Sequence, residues 1–293
     1  MPNIPLHIAV IGSGAIGGTV AAWLAQSPAH RVTLCVRTPL NDLQVDTPGG
    51  RITARPQVLT DPAQATPVDW VLTTTKTYDT AGAARWIDAL AGPATRVAVL
   101  QNGVEHRDRF PAVSADRLVP VIVDIPAERD APGRIRQRRT GTLTVADDAA
   151  GRAFAALFAA TPITTVLTDD FATAAWAKLA INCAGAVNAL TLLPAGIAQD
   201  PAVAGVMRAL VAECLAVGRA EGANLPDTLP DDVVAGTVAG PADGINSIHA
   251  DRAAGRPTEA DARNGVIARL GARHGIATPL NAMAAALLAT RAP

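Results

Sequence analysis

A glycine-rich turn set between a short apolar run and a helical pattern limits what this chain can fold into more than any other feature. Residues 7–11, His-Ile-Ala-Val-Ile, are continuously apolar after the histidine, the pattern of a strand buried on both faces of a parallel sheet. Gly12-Ser13-Gly14-Ala15-Ile16-Gly17 follows at once and opens a helical pattern over 19–26. In that setting the spacing is a dinucleotide fingerprint. The first glycine permits the tight turn, the second lets the backbone approach a pyrophosphate, and the third lets helix pack on strand. The free N–H groups of the helix then face the phosphates. Gly12, Ser13, Gly14, Ala15, Ile16 and Gly17 are accordingly the expected pyrophosphate cradle.

The chain beyond the turn repeats one arrangement, with polar residues just past the carboxyl ends of apolar runs. The run 32–36 ends at Arg37, where a site preferring NAD carries an acid for the ribose 2′-hydroxyl. An arginine suits a 2′-phosphate through charge-assisted, bidentate hydrogen bonds, so NADP is the expected cofactor. Lys76 follows the run 69–74 and is placed to reach either the adenosine phosphate or the nicotinamide side, with a merely solvated lysine as the alternative. The run 96–100 leads into Gln101-Asn102-Gly103. In an open α/β sheet this edge is where ligands bind.

From 118 to 168 short strands are expected at 119–125, 134–138, 142–145 and 163–167, with a helix at 149–160, as an antiparallel extension completing the sheet. After Asp169 the texture changes to Ala-rich helical patterns at 171–188, 201–221, 244–254, 258–274 and 279–291. The expected fold is an α/β Rossmann-type N-terminal domain, residues 1–168, followed by an all-α C-terminal domain, residues 169–293. A cleft between two such domains is a usual place for a substrate.

Charge excludes some partners. With 25 basic against 26 acidic residues, neither a nucleic-acid surface nor a polybasic membrane patch is indicated. Cys35, Cys183 and Cys214 form no CxxC pair and sit in apolar contexts, as reduced core residues of a cytoplasmic protein do. The uncharged stretch 179–198 contains Asn182, Asn188, two glycines and Pro194, which favours a buried helix pair over a membrane span. The five histidines are scattered, so no metal site is expected.

Of the 25 basic residues only two, Lys76 and Lys178, are lysine. An ammonium can give up a proton and serve as a general acid, whereas guanidinium stays charged. Lys178 and Asn182 are four apart in an apolar segment, hence on one face of a helix. The competing reading is a lysine snorkelling from a buried helix.

Four stretches together resemble the ketopantoate reductase family along nearly the whole chain: the glycine turn, Gln101-Asn102-Gly103, Lys178 to Cys183, and Gly255-Arg256-Pro257-Thr258-Glu259-Ala260-Asp261 with Asn264-Gly265 beyond it. The resemblance implies NADPH-dependent reduction of a small 2-keto acid, ketopantoate to pantoate. It implies Lys178 as general acid, Glu259 as the carboxylate acting with it and on the substrate hydroxyl, and Asn102 as a positioning amide beside nicotinamide that also contacts substrate. Asn182 and Ser247 are the implied substrate binders. The family's second asparagine, four residues after the first, is here Ala186, and Asn188 stands two places further on. A regular helix would turn Asn188 away from the Lys178 face, so its use as a substrate binder requires a deformation at Gly185. The alternatives are an NADP-dependent 3-hydroxyacid or imine reductase, which also places a lysine and an asparagine four apart, and a non-catalytic NADP-sensing module. The expected partner is a small-molecule 2-keto acid, and a homodimer is left open.

Overall fold

The computed structural model describes residues 5–290. Two compact units divide it: Met1–Gln101 with His106–Asp169, and Asn102–Glu105 with Asp170–Pro293.

The first unit runs β1 (Leu6–Ile11), α1 (Ala15–Leu24), β2 (His30–Cys35), β3 (Leu43–Thr47), β4 (Gly50–Ala54), β5 (Gln57–Leu59), β6 (Val68–Thr73), α2 (Thr80–Leu90) and β7 (Ala91–Val99). It continues through β8 (Leu118–Pro120), β9 (Ile122–Asp124), β10 (Ala127–Ala131), β11 (Arg134–Gln137), β12 (Thr142–Ala146), α3 (Ala149–Leu157) and β13 (Thr164–Thr168). Its central sheet has the order β5-β2-β1-β6-β7-β8, and every neighbouring pair is parallel.

Successive side chains of a strand point to opposite faces, and here both faces are covered. Ile8 and Val10 join one core with Val20 and Leu24 of α1 and Phe154 and Leu157 of α3. Ala9 and Ile11 join another with Ala83, Trp86, Ile87 and Leu90 of α2. The strands read as continuous apolar runs for that reason. Trp70 meets Phe154 edge-on at 5.9 Å, a pair that contributes about 0.5–1.5 kcal/mol beyond its buried area.

The expected single antiparallel extension is corrected. The run 119–125 divides into β8, which continues the parallel sheet, and β9, which belongs to a separate three-stranded sheet of order β13-β12-β9. β8 ends at Pro120, and Val121 N makes a last bond to Val99 O at 3.0 Å before Ile122 turns to β12. The β10–β11 pair joins the hairpin β3–β4, which the sequence reading does not anticipate, in a third sheet of order β10-β11-β3-β4.

The second unit is helical: α4 (Phe171–Ala184), α5 (Ala186–Thr191), α6 (Pro201–Ala220), α7 (Leu229–Ala239), α8 (Ser247–Ala253), a π-helical turn at Asp261–Gly265, α9 (Val266–His274) and α10 (Pro279–Ala289). Side-chain caps fix several starts. Asp170 accepts from Thr173 N at α4, Asp200 caps α6 ahead of Pro201, and Asn246 accepts from His249 N at α8. The helix α7 is not anticipated, although Pro230 and the acidic pair Asp231 and Asp232 mark its first turn. Arg291, the expected end of the last helix, lies outside the described residues.

The core of this unit gathers Trp176, Leu179 and Cys183 of α4, Met207, Leu210 and Val217 of α6, Val233 of α7 and Ile267 and Leu270 of α9. Among the described residues α6 is the one helix long and apolar enough to cross a membrane, and its Met207, Leu210, Val211, Cys214 and Val217 are buried in this core.

Candidate functional site

In the first unit the glycine turn stands at the carboxyl end of β1. Gly12 has φ +104°, and a Cβ at Gly17 would collide with Gly12 O and Thr74 Oγ1, so β1, α1 and the loop after β6 approach too closely for any other residue there. Thr74 Oγ1 closes the turn by donating to Ile11 O at 2.8 Å and Gly12 O at 3.1 Å. Gly14 precedes α1 without a side-chain cap, and the first turn of α1 carries no acid. A Cβ at Gly14 would project into open space. Unused helix N–H groups, absence of negative charge and a bare backbone fit the pyrophosphate of a dinucleotide. Ser13, Ala15 and Ile16 complete this cradle and are partly exposed.

Arg37 follows β2 with its side chain 87 % exposed and its Nη2 3.5 Å from Asp79 Oδ2. Lys76 is half-buried past the carboxyl end of β6. Gln101, buried past β7, donates to Thr75 Oγ1 at 3.0 Å and to Lys76 O at 3.4 Å, which braces the backbone around the lysine. These residues can hold the adenosine end of an NADP molecule. Burial pushes the Cys35 thiol up to about 12 and the Cys214 thiol well above its ordinary value, which leaves both unreactive.

The second unit holds the other sequence candidates. Lys178 and Asn182 lie one turn apart on α4, both half-buried, beside the buried Leu179 and Cys183. Asn102, which the chain contributes from just beyond β7, donates from Nδ2 to Glu259 Oε2 at 3.0 Å. Glu259 is only 4 % exposed. The Asn102 segment is anchored three residues on, where Arg269 grips Glu105 through Nη2–Oε2 at 2.7 Å and Nε–Oε1 at 3.3 Å. That fork raises the Arg269 pKa further above its ordinary value.

Ser247 opens α8 and is exposed, and its Oγ accepts from Arg263 Nη2 at 2.7 Å. Arg263 is 4 % exposed. Burial lowers its pKa, while the carboxylates of Glu259 and Asp251 act in the opposite direction. Asp251 in turn is paired with Arg256 at 2.9 Å.

The helix does deform where Asn188 requires it: α4 ends at Ala184 and α5 begins at Ala186. A Cβ on Gly185 would lie 2.7 Å from Asn246 Nδ2. Asn246 Nδ2 donates instead to Gly185 O at 3.1 Å and to Asn188 Oδ1 at 3.4 Å. Asn264 Nδ2 donates to Cys183 O at 3.2 Å, so side-chain amides donate to the carbonyl groups on both sides of the break. Asn188 is buried, and its Nδ2 donates to Leu193 O at 3.1 Å. Both polar atoms of that side chain thus have partners inside the unit, and one of those partners is the cap of the helix bearing Ser247.

Arg263 and Asn246 are not anticipated from the sequence. The signal for Arg263 is its spacing, four residues before Ile267 and seven before Leu270, both buried, which sets an arginine in an apolar stripe. Asn246 carries the ordinary signature of a helix cap.

A family model described as "Ketopantoate reductase PanE/ApbA" matches residues 8–150, and its C-terminal counterpart matches residues 170–292. A 2-dehydropantoate 2-reductase of Caulobacter vibrioides is 64 % identical over 282 residues, covering 96 % of this chain and 97 % of that one. A solved 2-dehydropantoate 2-reductase of Geobacter metallireducens superposes with a TM-score of 0.90 at 28 % identity, covering 97 % of this chain and 99 % of that one. A ketopantoate reductase of Staphylococcus aureus, described as dimeric, gives a TM-score of 0.87 at 25 % identity with 97 % of both chains covered.

Proposed function

We propose, for a chain that belongs to the ketopantoate reductase family and is an oxidoreductase acting on a CH–OH group, that it reduces 2-dehydropantoate to pantoate with NADPH, a step of pantothenate biosynthesis. The observation that carries this reading is the hydrogen bond from Asn102 to the buried carboxylate of Glu259, 157 positions apart in sequence. Two residues with substrate-directed roles in the family resemblance meet there, and a buried carboxylate with an amide partner is suited to gripping a hydroxyl.

The residues then divide the work. Gly12 to Gly17 hold the pyrophosphate, and Arg37 and Lys76 hold the adenosine phosphate. Bound NADPH supplies a hydride to the carbonyl carbon of the substrate. Lys178 faces the carbonyl oxygen, stabilises the negative charge that grows there, and donates the proton that completes the alcohol. Asn182, one turn along the same face, orients that oxygen. Glu259, held by Asn102, accepts from the substrate hydroxyl and is the carboxylate that acts with Lys178. Ser247 contributes a further substrate contact, and Asn188 supports it through Asn246. The active assembly in this reading is a homodimer, as described for the S. aureus relative.

The test is NADPH consumption by the purified protein with ketopantoate, a 3-keto acid and a cyclic imine in parallel. Turnover of ketopantoate is expected. Turnover restricted to the 3-keto acid or the imine points to the other reductase class, and NADPH binding without turnover of any substrate points to a sensor. Sedimentation of the same sample reads the dimer.

A further inference from the structure

Arg263 is a buried arginine of the helical unit, 4 % exposed. A buried guanidinium loses its hydration and is tolerated only when carboxylates and hydrogen bonds replace it. Glu259 and Asp251 supply the counter-charge, but the donors are incompletely used: Nε is buried with no hydrogen-bond partner among the described residues. An arginine retained for stability alone is expected to use its fork bidentately on carboxylate oxygens. This one directs Nη2 to the hydroxyl of Ser247, an exposed residue.

The backbone is shaped to make that contact. Ala262, Arg263 and Asn264 are all buried, although three consecutive residues of a regular α-helix span about 200° of its circumference. The π-helical turn Asp261–Gly265 widens the helix enough to bring them inward together, and such turns recur at functional sites. Asn264 pins the turn by donating to Cys183 O at 3.2 Å and Asn281 Oδ1 at 2.9 Å. Arg263 is therefore held from a rigid base.

We propose that Arg263 is a positioning residue of the substrate site, acting through Ser247: by donating to Ser247 Oγ it fixes the serine hydroxyl as a donor toward the 2-keto acid. A hydroxyl that already accepts from guanidinium has its own O–H left to give, and the positive charge behind it makes that O–H a stronger donor. The ligand atom it serves is an acceptor, an oxygen of the substrate. The inference rests on Ser247 contacting substrate, as in the proposed reaction.

The experiment is a double-mutant cycle of Arg263→Met and Ser247→Ala, read as kcat and KM for ketopantoate, KM for NADPH and thermal midpoint. Arg263→Met takes a counter-charge away from the buried Glu259 and Asp251, so its thermal midpoint is expected to fall, and the kinetics are read at a temperature where the variant is folded. Its KM for ketopantoate is expected to rise about 10–100-fold, the loss of one charge-assisted contact, with KM for NADPH unchanged. In the Ser247→Ala background the same substitution adds little. Should Arg263→Met not fold, Arg263→Gln, which keeps a donor without the charge, carries the cycle with the same criteria. A KM for ketopantoate within about twofold of the parent value, or an equal effect with and without Ser247, overturns the proposal. If Ser247→Ala alone leaves KM untouched, the substrate role of Ser247 fails first and this inference with it.

Discussion

Replacing Gly185 by alanine tests how the broken helix between α4 and α5 is held. The backbone there, φ −62° and ψ −10°, suits alanine, and helix propensity alone favours the substitution by about 1 kcal/mol. The added Cβ, however, would lie 2.7 Å from Asn246 Nδ2, against the roughly 3.5–4.0 Å at which carbon atoms rest. Asn246 must then move, giving up its 3.1 Å bond to Gly185 O and straining the 2.9 Å cap it offers His249 N. The lost bond costs about 1 kcal/mol and the weakened cap about 1 kcal/mol more. After the propensity gain, the net destabilisation is about 1 kcal/mol, a fall of about 2–4 °C in the unfolding midpoint. KM for the keto acid rises as well, because Asn246 caps the helix that starts at Ser247. Thermal unfolding by circular dichroism of Gly185→Ala, Asn246→Ala and the double variant provides the measurement. In the Asn246→Ala background the clash is gone, and Gly185→Ala becomes neutral or stabilising. A single variant more stable than the parent, or an undiminished penalty without Asn246, would refute the reasoning.

Other outcomes are expected of the proposed site. Lys178→Ala lowers kcat by roughly 10²–10⁴ with little change in KM for NADPH; a fall below about tenfold in steady-state turnover leaves Lys178 a half-buried structural lysine. Arg37→Ala weakens NADPH binding by about 10–100-fold and spares NADH, read by fluorescence titration of both cofactors; equal weakening of the two places Arg37 away from the 2′-phosphate. Glu259→Ala raises KM for ketopantoate more than for a 2-keto acid lacking the hydroxyl, and equal increases would remove the hydroxyl contact from the proposal.

Features carried by neighbouring residues were legible in the sequence. The turn Gly12 to Gly17 declares itself because the strand before it and the helix after it are contiguous, and Lys178 with Asn182 because a regular helix relates them. Features that depend on side chains arriving from elsewhere were not. The spacing around Ala186 and Asn188 shows that Gly185 is irregular, but the side chain that packs against it is Asn246, 61 residues away. Arg263 stands in a segment read as ordinary helix, and the π-helical turn that buries it together with Ala262 and Asn264 has no mark in the spacing. The run 119–125 looks like one strand because its apolar residues do not record that the hydrogen-bonding partner changes after Val121.

The residues Asn102–Glu105 belong to the helical unit while the chain on both sides of them belongs to the sheet unit. The order of the gene and the order of the folding units therefore differ. A fragment starting at Asp170 would carry Glu259 without its amide donor and Arg269 without Glu105. Such a fragment lacks an internal component of its own structure, so a helical unit excised at that boundary is an incomplete protein, and one restored by a graft of four residues has its own anchoring pair returned to it.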